Sequence, residues 1–219
     1  MWCIGKITGT YRDRMYELLG LYARPHDERE PVVCVDEKSK QLLGQTRAPL
    51  PAQPGRAAKE DYEYQRVGTR NIFVAVEPQG GHRWVTVTLQ RKKADFVSFV
   101  KHLVENVYAT AVTLHLVLDN LNTHFRQTFV DVLGQEAATA LLRRVAFHYT
   151  PKHASWLNMA EIEIGIMDRQ GTGRRYADAE SLQTEIRHWQ QRRNEEGRGI
   201  EWKFTRPDAD RKLSKHYVS

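Results

Sequence analysis

Two short apolar runs that each stop on a carboxylate constrain the fold of this 219-residue chain more than any other feature. In one, Leu114 to Leu118 follow the β-branched Val112 and Thr113 and end on Asp119. Five residues are too few for an independent helix, and their composition suits a strand. Asn120, Leu121, Asn122 and Thr123 then suit a turn, because Asn bonds its own backbone and tolerates unusual dihedrals. Asp119 is therefore expected where the chain leaves the sheet, although an Asp there can also simply open a turn or cap a helix. The other run, Val32 to Val35, ends in the same way on Asp36 and Glu37. Two buried strands thus deliver two acids.

A third acid follows a strand expected over Val145 to Tyr149 and broken by Pro151. A helix starting near Ser155 to Asn158 carries Glu161 in its first turn. Asn158 and Glu161 also have the spacing of a capping box, in which Glu161 would only serve the helix end. Glu163 lies close by, but at about 100° per residue it points some 200° away, so only one of the two can face the Asp residues. Apolar periodicity does not choose between them.

The stretches VVCVDEKSKQ, LVLDNLNTH and TPKHASWLNMAEIE, in that order, resemble the catalytic blocks of DDE transposases of the bacterial insertion-sequence branch of the mariner superfamily. The closing WKFTRPDADRKL extends the likeness. The resemblance implies Asp36, Asp119 and Glu161 as catalytic, metal-binding residues, and so favours Glu161 over Glu163. Met159 and Ala160 stand where the wider superfamily has Pro-Ile. It further implies a ribonuclease H-like fold, DNA strand cleavage and strand transfer, and transposon ends and target DNA as partners, with a homodimer assembled on DNA.

Charge chemistry agrees with a metal site. Three carboxylates about 5 Å apart repel by roughly 3 kcal/mol per pair at an effective dielectric near 20. Oxygen-only donors select hard ions, Mg²⁺ or Mn²⁺, and two ions about 4 Å apart suit phosphodiester chemistry. Around these acids, Lys38, Asn120, Asn122, His124, Lys152, His153, Trp156 and Asn158 are candidate DNA contacts. His124, His148 and His153 match no zinc spacing. Trp156 suits base stacking, but an aromatic at a helix start is commonly core.

The rest of the chain suits one α/β domain. Thr10 to Tyr22 reads as a helix, Asn71 to Glu77 and Arg83 to Leu89 as a hairpin turning at Pro78 to Gly81, and Ala94 to Tyr108 as an amphipathic helix. A helical region follows over Arg126 to Arg144, and Asp178 to Glu196 reads as a helix closed by Gly197. The Pro- and Gly-rich stretch from Gly44 to Asn71 reads as a long loop whose arginines could touch phosphate. The expected architecture is a mixed five-stranded sheet flanked by helices, with a helical C-terminal extension. Residues 1–30 form a linking helix, 31–170 the catalytic core and 171–219 a basic extension.

A net charge of +6 suits an anionic partner without requiring one. Cys3 and Cys34 form no CxxC, so neither a disulfide framework nor a zinc site is expected. No apolar run spans a bilayer, and a soluble bacterial, cytoplasmic, nucleoid-associated protein is expected. Only about thirty residues precede the first acid-bearing strand. The chain therefore reads as a truncated or split element whose end recognition comes from a separate helix-turn-helix chain. The alternatives are a non-catalytic DNA-binding remnant and a nuclease acting on RNA–DNA hybrids.

Overall fold

The computed structural model describes residues 5–59 and 61–218, so Cys3 and the opening residues lie outside the described residues. The chain forms a five-stranded sheet of order β3-β2-β1-β4-β5, built from β1 (Val32–Gln45), β2 (Tyr64–Glu77), β3 (His82–Thr88), β4 (Leu114–Leu118) and β5 (Val145–Tyr149). The first three strands pair antiparallel, while β4 runs parallel to β1 and β5 parallel to β4. This is the mixed sheet expected of a ribonuclease H-like fold.

Alternation along β1 sorts its side chains between two layers. Val33 and Val35 pack with Phe73, Phe96, Leu116, Leu118 and Phe129. That layer holds α2 (Lys93–His102), which continues as a π-helical turn over Leu103–Val107, with α3 (Arg126–Leu133) and α4 (Gln135–Leu142). Cys34 and Val117 face the opposite layer, against α1 (Gly9–Tyr22) and the start of α5 (Ala160–Met167). Farther along that face, Leu42, Ile72 and Val74 meet Met167 and the buried Leu182, Ile186 and Trp189 of α6 (Ala179–Glu196). Asp178 caps α6 by accepting from Ser181 N–H, and Gly197 closes it at φ 59°. A short helix, α7 (Arg206–Leu213), packs through Ala209 and Leu213 against the α1 side.

Two expectations need correction. The stretch Gly44 to Asn71 is not one loop: β1 and β2 are 14 residues each, paired from Cys34↔Val76 out to Gln45↔Tyr64, with an irregularity at Leu42/Leu43. Only residues 46–63 form the irregular tip. Backbone pairing carries these strands past the point where side-chain burial ends, since Tyr64 to Val67 are exposed. The region Arg126 to Arg144 is likewise two helices. Gly134, at φ 81° and ψ 163°, breaks the run in a conformation that L side chains avoid.

Candidate active site

The β1–β4 ladder pairs Val32 with His115, Val33 with Leu116 and Cys34 with Val117. Continued two residues, that parallel register sets Asp36, inside the long β1, beside Asp119, the residue just past the end of β4, on adjacent strands that lie about 4.8 Å apart in a sheet. Asp36 belongs to the even-numbered set of β1 and so points into the α5 layer, while Glu37 points into the α2 layer. The turn after Asp119 is pinned from several sides. Asn120 Nδ2 donates to the Thr150 carbonyl (2.6 Å), Asn120 Oδ1 accepts from Arg14 (2.8 Å), and Tyr149 Oη donates to the His124 carbonyl (2.9 Å).

Asn158 fixes α5 to the same stretch of β1. Its Nδ2 donates to the Val35 carbonyl (2.9 Å), and its Oδ1 accepts from Ala160 N–H (3.1 Å). The capping box is not formed, because Asn158 is occupied by Ala160 and Glu161 stays exposed. Glu163 has the opposite fate: fully buried, it meets Arg83 Nε at 2.9 Å and Arg193 Nε at 3.1 Å. The 200° separation on the helix thus divides the two acids between a buried ion triad and an open surface.

The electrostatics of the three candidate acids are unequal. Burial pushes the Asp36 carboxyl up to about 7, and the charges of Asp119, Glu37 and Glu161 push the same way against one favourable bond from Glu37 N–H (2.8 Å). Burial also opposes ionisation of Asp119, but His124 and the Leu121 N–H outweigh it and hold that carboxyl below its ordinary range. His124 is itself fully buried, with Nδ1 2.7 Å from Asp119 Oδ1 and Nε2 3.2 Å from Glu37 Oε2. Both approaches are off the line of a good hydrogen bond, so they are ion-pair contacts rather than aligned bonds. Burial disfavours the imidazolium, yet the two carboxylates raise the ring to about 9.

Among the described residues, no three Asp, Glu, His or Cys side chains close around a single point as a metal cage. The donor chemistry nevertheless fits a hard divalent cation. Asp36, Asp119 and Glu161 offer only oxygen donors, and Asp36 is held reluctant to ionise by burial first and by its carboxylate neighbours second, a state that a bound cation would reverse.

The predicted DNA contacts fall into two groups. Lys152, His153 and Asn122 are exposed, and His153 sits at φ 64°, an uncommon conformation for its residue type. Lys38 shares the face of Asp36 and is paired with Asp168. The others are engaged inside the protein. Asn158 and His124 are fully buried and so lie out of DNA's reach. Asn120 is held by Arg14 and Thr150. Trp156 packs against Trp202 (centroids 6.3 Å apart) and Phe204. Sequence reasoning did not find Arg83, which is fully buried on the outermost strand. It also missed the role of Glu37, although a charge on an otherwise apolar strand face signals a buried partner.

A family profile described as "DDE superfamily endonuclease" matches residues 31–183. Among solved structures, the Mos1 mariner paired end complex with Mn aligns with a TM-score of 0.55 at 14% identity, covering 88% of this chain and 58% of that chain. The Mos1 strand transfer complex gives 0.55 at 14%, covering 86% and 58%. The Mos1 paired end complex with Mg gives 0.54 at 15%, covering 100% and 66%. This chain therefore spans about three fifths of the Mos1 chains, and at such identities the likeness speaks for the fold. No curated protein matches the sequence. The family match, by contrast, runs from the residue before β1 into the start of α6, well over half of the chain, and by it the protein belongs to the DDE superfamily of endonucleases.

Proposed function

We propose that residues 31–170 form the catalytic core of a transposase that cleaves DNA strands and joins them to target DNA, with Asp36, Asp119 and Glu161 as the metal-binding acids. The observation that carries this reading is the register that sets Asp36 on β1 beside Asp119 at the end of β4, with Glu161 on the open face of a helix that Asn158 ties to β1. The Mos1 structures named with Mn and Mg, and with paired ends and strand transfer, lend support by analogy of fold.

Mg²⁺ or Mn²⁺ bound here would supply activation of a water or 3′-hydroxyl and stabilisation of the leaving oxygen. The protein's part is placement. Asp36 and Asp119 present oxygens from the two adjacent inner strands of the sheet, and Glu161 completes the group from α5. Burial around Asp36 strengthens every charge interaction with a phosphate brought to the site. Lys38, Lys152, His153 and Asn122 lie near enough in the chain to these acids to steady the flanking backbone, a contact governed by phosphates and steeply salt-dependent. Mg²⁺-dependent nicking of plasmid DNA tests the reading: the wild-type chain should nick and Asp119→Asn should not. Equal nicking by both would remove Asp119 from the mechanism.

A further inference from the structure

The residue left without a role is His124. It is wholly enclosed, packed at a tilt against Phe96 with ring centroids 4.5 Å apart, and wedged between one carboxylate from β1 and another from the end of β4. A buried imidazole contacting two acids on different strands is a costly arrangement unless it holds something in place. The Asp119 side supplies the reason. Its Oδ1 takes both contacts, His124 Nδ1 at 2.7 Å and the Leu121 N–H at 3.0 Å, while among the described residues no hydrogen bond or ion pair falls on Oδ2. Glu37, next in sequence to Asp36, holds the other side of the ring.

We infer that His124, itself oriented by Glu37, is a positioning residue that fixes the Asp119 carboxylate in a one-oxygen presentation to the divalent cation. The arrangement makes a cross-strand strut: Glu37 on β1, the ring, then Asp119 beyond β4, so the spacing of the two acid-bearing segments is set behind the site rather than at it. The inference rests on the proposed metal-binding role of Asp119. Outer partners of ligating carboxylates typically govern metal affinity by about 10- to 100-fold.

The test must separate position from charge, since removing His124 alone would strand Glu37 and add negative potential near the metal. His124→Phe combined with Glu37→Gln deletes one positive and one negative charge and keeps an aromatic ring against Phe96. Mn²⁺ binding to the full chain, followed by titration calorimetry and by the EPR signal of free Mn²⁺, should weaken by about 10-fold or more in this double variant. Glu37→Gln alone should stay within a few-fold of wild type. His124→Asn with Glu37→Gln, which keeps the charge balance and an N–H near the Nδ1 position, should recover most of the affinity. Should the double variant not fold by circular dichroism, His124→Leu with Glu37→Gln takes its place, with the same expectation. Asp119→Asn is the reference. If it loses Mn²⁺ while the charge-neutral double variant binds like wild type, His124 does not position Asp119 and the inference falls. If Asp119→Asn itself binds Mn²⁺ like wild type, the metal-binding reading fails first and takes the inference with it.

Discussion

The two sides of α5 treat the same side chain in opposite ways. Toward β3 and α6, Glu163 is buried at full depth and neutralised by Arg83 and Arg193. Arg83 is further tied to the Gly81, Arg193 and Arg198 carbonyls. Toward the end of β4 and the neighbouring stretch of β1, Glu161 is exposed, and Asp36 has acids rather than cations as its charged neighbours. One region balances its glutamate with the protein's own arginines, while the other sets a single buried histidine, His124, against Asp119 and Glu37 and keeps Asp36 in the field of acids. Two glutamates two residues apart therefore differ in function because the helix aims them at different company.

That contrast can be broken most forcefully by exchanging effects. Asp119→Asn or Glu161→Gln should lower Mg²⁺-dependent nicking by about 1,000-fold, since each removes a charge worth several kcal/mol at the transition state and each 1.36 kcal/mol is tenfold. Urea unfolding of Glu161→Gln without metal should show no loss of stability. Glu163→Gln should do the reverse. It leaves buried arginines unpaired at a cost of about 3–5 kcal/mol, visible as a lower urea midpoint, while the folded fraction still nicks. A Glu163→Gln protein as stable as wild type would show that the triad is not the closed counterpart drawn here.

A smaller effect is read by pH. In the metal-free protein Asp36 releases its proton near 7, against an ordinary value of 3.8. Between these values the native state holds a proton that the unfolded chain has lost, so this group makes stability fall as pH rises from about 4 to about 7. Asp36→Asn should flatten that slope in urea titrations run with chelator, and saturating Mn²⁺ should flatten it in the wild type. His124 works in a later window. Its raised value contributes stability that is full below about 6.5 and lost as pH passes about 9. The smallest change concerns DNA: Lys152→Ala should weaken binding equally on transposon-end and scrambled duplexes and reduce the salt slope by about one unit. A preference above about tenfold, near 1.4 kcal/mol, between those duplexes would show that base edges are read as well.

Much of this organisation was legible in the chain. The runs ending on Asp36 and Asp119 are strands because short apolar segments with β-branched residues fit buried sheet positions, and the caps of α6 are written at Asp178 and Gly197. What escaped notice depends on partners distant in sequence. The outer halves of β1 and β2 look like loop by composition, because backbone pairing rather than side-chain burial makes them strands. Asn158 and His124 look like surface polar groups until Val35 and Glu37 are brought against them. Periodicity could state that Glu161 and Glu163 face apart, but not which faced arginine, since Arg83 lies 80 residues earlier in the chain.

The Asn158 clasp has a further consequence, for how such a chain tolerates insertions and deletions. The clasp anchors the start of α5 to β1, so the distance in sequence from Asn158 to Glu161 acts as a ruler. One residue added or removed between them would turn the carboxylate by about 100° and shift it by about 1.5 Å, carrying it off the open face. The tip at residues 46–63 carries no such measure, and each doubling of a loop's length costs only about 0.6 kcal/mol. Length variation among relatives should therefore gather at that tip, while the three-residue interval ahead of Glu161 admits substitutions but no change of length.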